Sequence, residues 1–99
     1  MTGGFLRRWI ERCRAIRRLW QQDARELISR DERSAYYTAQ RLAARARAEG
    51  DRANFVHWVK VAAEVARASS VAEMDLSVVD SIVAEELEAR SSGPTPKRD

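Results

Sequence analysis

Ninety-nine residues bound a single small domain whose core is thin enough that oligomerisation or a partner is expected to complete it. One cysteine excludes an internal disulfide and a cysteine-cluster metal site. No run reaches transmembrane length and arginines interrupt any signal-peptide-like apolar stretch, so cytoplasmic localisation is expected. The net charge of +3 conceals a polarity, because residues 1–22 hold six bases and one acid whereas residues 73–99 hold three bases and seven acids.

A first helix is expected over residues 4–28. Leu6, Trp9, Cys13, Ile16, Trp20, Ala24 and Leu27 recur every three or four positions, one stripe of a 3.6-residue period, and Ile10 and Ile28 widen it. Arg7, Glu11, Arg14, Arg18 and Arg25 lie on the other face. Ser29-Arg-Asp-Glu32 then reads as a capping box that opens a second helix over 30–49, with Tyr36, Ala39, Ala43 and Ala46 turned inward and Leu42 at the edge.

Gly50 suits the left-handed position after a helix, and Asp51 suits the cap of the next one. That third helix, over 52–68, carries Phe55, Val56, Trp58, Val59, Val61, Ala62, Ala63, Val65 and Ala66 around most of its circumference. His57, Lys60, Glu64 and Arg67 form one narrow polar stripe. A helix apolar on most sides is a buried one, so the third helix reads as the centre of the domain. In an antiparallel hairpin about Gly50-Asp51, Ala46 faces Phe55, Leu42 faces Val59 and Ala39 faces Ala62, large against small. Capping-box matches at Ser70 to Glu73 and Ser77 to Asp80 place a break near residues 69–76. A fourth helix follows over 77–90 with Leu76, Val79, Val83 and Leu87 as its stripe. Residues 1–90 are read as one helical domain, and the Ser/Pro-rich tail 91–99 as disordered.

Chemistry is hard to find along this chain. His57 and Cys13 lie on different elements with nothing to orient the histidine, so no catalytic dyad is expected. The histidine reads as solvated and the cysteine as a small buried hydrophobe. Asp80, Glu85, Glu86 and Glu88 scatter around one helix as a solvated acidic face rather than a metal site. Gly3-Gly4 follows no strand, which excludes a phosphate loop. The expectation is a protein that is not an enzyme, with no catalytic, metal or cofactor-binding residues and no cofactor.

Binding is the remaining class. A nucleic-acid reading of the third helix fails because Glu64 sits in the middle of its polar stripe. The first helix offers arginines that could track phosphates, or an interfacial face of Phe5, Trp9 and Trp20 for an anionic membrane surface. Sixteen arginines beside sixteen alanines also suit a GC-rich bacterial genome, which favours a solvated face instead. The candidate interaction surface is Arg7, Arg8, Arg12, Arg14, Arg18, Trp9 and Trp20.

Arg45-Ala-Arg-Ala-Glu-Gly-Asp51, followed by Trp58 and Ala62-Ala63, resembles a pattern in small uncharacterised helical-hairpin proteins of alphaproteobacteria. The resemblance covers about a quarter of the chain, implies a helical hairpin and a bacterial source, and brings no activity. The expectation is thus an all-α bundle of three or four helices around an apolar third helix. It acts as a small bacterial adaptor or regulator through an unidentified protein partner or a homo-oligomer. Binding of nucleic acid or anionic membrane through residues 5–28 is the alternative. The basic first helix and acidic fourth helix are expected to dock side by side on the third, their charges lining one seam.

Overall fold

The computed structural model describes residues 2–91, with side chains from Gly4 onward. The chain is all-α: α1 spans Thr2–Arg30, α2 Ala35–Ala48, α3 Arg52–Ala68 and α4 Leu76–Ser91. From residue 92 on, the tail expected to be disordered lies outside the described residues. No described helix is long and apolar enough to cross a membrane.

The α2–α3 hairpin forms as its sequence dictates. Gly50 takes φ +75°, which a side chain would resist, and the amides of Gly50 and Asp51 reach back to the carbonyls of Arg47 and Ala46. The Asp51 carboxylate then accepts the Asn54 amide at 3.1 Å and caps α3. Small residues line the contact: Ala35 and Ala39 of α2 share one buried cluster with Val61, Ala62 and Val65 of α3. Alanine lets the two backbones approach closely, at the cost of apolar area.

The capping boxes resolve differently. Ser29 stays inside α1, donating to the Glu26 carbonyl, and α1 runs on to Arg30. The chain turns over residues 32–34 before α2 begins at Ala35. Glu32, freed from capping, instead accepts the Ser69 hydroxyl at 2.6 Å, and Ser69 in turn accepts the amides of Val71 and Ala72. This knot buries Ala72 in the core cluster and leads the chain past the start of α2, where Glu73 donates its amide to the Arg33 carbonyl. Asp75, not Ser77, opens α4: its carboxylate accepts both the amide and the hydroxyl of Ser77. Those two bonds, the hydroxyl's foremost, hold the Asp75 carboxyl below its ordinary range.

The helices pack in the spatial order α1, α3, α2, α4, with α1 also touching α2. α3 lies between α1 and α2 and supplies Val61 and Val65, the two largest side chains that are fully buried. α4, however, packs on α2 and makes no contact with α3 or α1 among the described residues. The expected seam between α1 and α4 therefore does not form. α3 is covered on two sides only, so Val56 and Val59 lie on an open face; Val59 is 37% exposed and does not meet the burial expected of it.

Candidate docking surface

Charge does line a seam, but a different one. Arg41 of α2 donates to Glu86 and Glu85 of α4, each at 2.8 Å, and Arg45 adds a longer bond to Glu86 at 3.4 Å. Glu86 is largely covered, and the bond from Arg41, then that from Arg45, pull its carboxyl below the usual glutamate range. Glu85 and Glu86 correspondingly hold the Arg41 guanidinium above its ordinary value. The acidic face of α4, expected to be solvated, is in part how α4 is fastened to α2. The shallow groove beside it, lined by Tyr37, Arg41, Leu42, Val78 and Ile82, thus presents a guanidinium that is already paired.

Polar pairs also lock α1 to α3. Arg17 meets Glu64 at 3.3 Å, Lys60 sits 5.6 Å over the Trp20 ring, and His57 Nε2 lies 2.7 Å from Asp23 Oδ2. Glu64, expected on a solvated stripe, is only 6% exposed and accepts a second bond from Arg67 at 2.8 Å. His57 is likewise no free surface histidine: besides Asp23, it stacks edge-on against Trp58. Cys13 does not join the Asp23–His57 pair, because it lies ten residues from Asp23, about 15 Å along the same helix. No cluster of three metal-ligating side chains occurs among the described residues.

These contacts fix the geometry of what is left over. Arg17–Glu64, Trp20–Lys60 and Asp23–His57 show α1 running antiparallel to α3. α3 stops at Ala68, one turn beyond Glu64, so the earlier turns of α1 have no α3 opposite them. Every residue from 4 to 19 is exposed. The radius of gyration of 16.8 Å, against about 13 Å for a compact chain of this length, records the same overhang.

The overhang is not polar. Its apolar stripe continues the one that buries Ala24 and Leu27 further along α1, yet Phe5 is 76% exposed, Leu6 55% and Trp9 57%, with Ile10, Ile16 and Leu19 also open. Cys13, expected to be buried, lies in this stripe and is exposed. Six arginines and one acid, Glu11, share the same stretch. The candidate surface read from sequence accordingly divides. Arg7, Arg8, Trp9 and Arg12 lie on the overhanging turns and Arg14 and Arg18 are exposed beside the bundle, whereas Trp20 is half-buried against the core, where Lys60 and the neighbouring α3 turn cover it. Sequence reasoning missed the two arginines of α2 that fasten α4, since Arg41 and Arg45 lie mostly outside the apolar stripe of a helix rich in arginine.

Fold and surface together define a small all-α protein, a bundle with one long helix that outruns its own core. No family model, curated protein or solved structure matches this chain.

Proposed function

We propose that the chain is a non-enzymatic docking protein, a small adaptor that works by contact, with the arm of α1 as its binding element. One observation carries this reading: the apolar stripe of α1 runs on past the bundle with its residues 4–19 all exposed. An apolar patch of that extent marks a surface meant to be covered, because leaving it in water forfeits roughly 1.5–3 kcal/mol for each large side chain. Trp9 and the surrounding arginines are the residue types that anchor interfaces.

A second reading, binding of an anionic polymer or surface through residues 5–28, draws support from the same arm. A first helix engaged elsewhere along its whole length would strip α3 of cover. Residues 20–27 provide that cover by themselves, and the objection lapses. Cys13 tests docking without presupposing the partner, since it lies in the stripe to be covered. Its alkylation in intact cells is expected to be severalfold slower than in the purified protein. Equal rates in the two settings would remove the docking reading.

A further inference from the structure

The arm is amphipathic in a particular way. Phe5, Leu6, Trp9, Ile10, Cys13 and Ile16 recur three and four residues apart and face one side. Arg8 and Arg12 border one margin, where they line a shallow depression with Phe5 and Trp9. Arg14 borders the other margin beyond Ile10, Arg7 and Arg18 occupy the back, and Arg17 is held by Glu64 of α3. The apolar face is thus flanked by guanidinium groups on both sides, with aromatic rings beside them.

We propose that this arm, residues 5–19 of α1, is an interfacial helix that lies on an anionic phospholipid surface, its apolar stripe among the acyl chains and its arginines at the headgroups. The proposal rests on the docking reading above and names the occupant. A strongly basic polar face, with Trp, Phe and Leu on the opposite side, is what such a helix requires. A bilayer supplies negative charge along both margins at once, and arginine stems can bend outward from the apolar layer.

The other occupants fit less well. A second arm would set six arginines and one acid against the same again, with no acidic complement. The acidic α4 of a second copy has Glu85 and Glu86 already held by Arg41, beside Arg45. Nucleic acid would take the arginines but leave Phe5, Leu6, Trp9 and Ile10 in water. Only a surface that is both anionic and apolar uses the whole arm.

The test is co-sedimentation of the full chain with vesicles of phosphatidylcholine alone and of phosphatidylcholine mixed with phosphatidylglycerol. Binding to the mixed vesicles, weak binding to the neutral ones and a fall with added salt are expected. Trp9→Ala should lower partitioning by at least about tenfold, and Arg8→Gln or Arg12→Gln by roughly fivefold each on the mixed vesicles only. Leu87→Ser, on exposed α4, should change nothing. All four side chains are exposed, so unaltered thermal melts show that the fold is intact in each variant.

Absence of partitioning at low salt overturns the proposal. So does equal partitioning into neutral vesicles, or a Trp9→Ala variant that binds like wild type. A Cys13-linked dimer that forms efficiently with bismaleimide in the absence of lipid assigns the arm to a second copy. A gel shift of DNA that is indifferent to Trp9→Ala assigns it to nucleic acid. Both results also overturn the lipid proposal. If vesicles fail while Cys13 remains protected in cells, the arm docks on something other than lipid; if Cys13 is unprotected as well, the docking reading falls too.

Discussion

Val59 and Val61 are two residues apart on one helix, and their surroundings are opposite. Val61 is fully buried between α1 and α2, while Val59 points to the open face of α3. Val61→Asp places an unpaired carboxylate in the alanine-rich core, a penalty of about 4 kcal/mol or more, close to the whole stability of a domain with so little buried area. The expected outcome is an unfolded chain by circular dichroism, whereas Val59→Asp should melt within a few degrees of wild type. Equal melting of the two variants would mean that α3 is rotated from the orientation described. Ala39, wholly buried opposite α3, tests the closeness of the helices: Ala39→Leu should cost about 1–3 kcal/mol through overpacking. The sequence pattern identified Val61, Val65, Ala39 and Ala62 as core but counted Val56 and Val59 with them. Hydrophobicity marks the faces that could be buried, and α3 has more of these than the chain has helices to cover them.

Attachment of α4 depends on a few charged groups because its apolar contribution is small; Ile82 is its one buried side chain among the described residues. Arg41→Ala leaves the largely covered Glu86 with only the longer bond from Arg45, and should destabilise the fold by about 1–2 kcal/mol in a chemical-denaturation curve. Acid acts on the same seam. Glu86 is held below its ordinary value of 4.5, so the stabilisation it contributes is complete above that value and fades as pH falls through the lower, folded-state one. Wild type should therefore melt higher than Glu86→Gln at neutral pH, and the gap should close well below pH 4.5. A gap that is constant with pH would mean that Glu86 is not the titrating fastener. This seam was only half visible in the sequence. The acids of the last helix and the arginines of the first stood out as blocks, whereas Arg41 and Arg45 lie mostly outside the apolar stripe of a helix rich in arginine. Helix ends were similarly under-determined: Ser29, Asp31 and Ser34 all suit a cap, and Ser29 satisfies its hydroxyl inside α1 instead.

At the scale of the molecule, one helix belongs to two environments. From Trp20 onward α1 is part of the bundle, and before Arg17 it contributes nothing to the core. Its amphipathic stripe was plain in the sequence over the full length, but periodicity reports that a helix has an apolar face, not that anything meets it. The decisive fact, that α3 ends at Ala68 and leaves those turns uncovered, depends on the antiparallel pairing of two helices distant in sequence. Stability and dynamics divide at the same point. An isolated helical stretch of some dozen residues is marginal in water, so the arm of the unbound protein should exchange its amide hydrogens far faster than residues 20–30, whose helix is held by packing. Removing the residues before Ala15 should lower helix content yet shift the melting temperature by less than about 4 °C, because under 1 kcal/mol of tertiary contact is lost. Occupancy reverses the first of these. A docked arm gains the packing it lacks, and hydrogen exchange over residues 4–16 should slow on binding while the bundle's changes little. If the arm's amides are already as protected as those of residues 20–30 in the free chain, the helix is held by a contact between copies in solution, and the concentration dependence of that protection will reveal it.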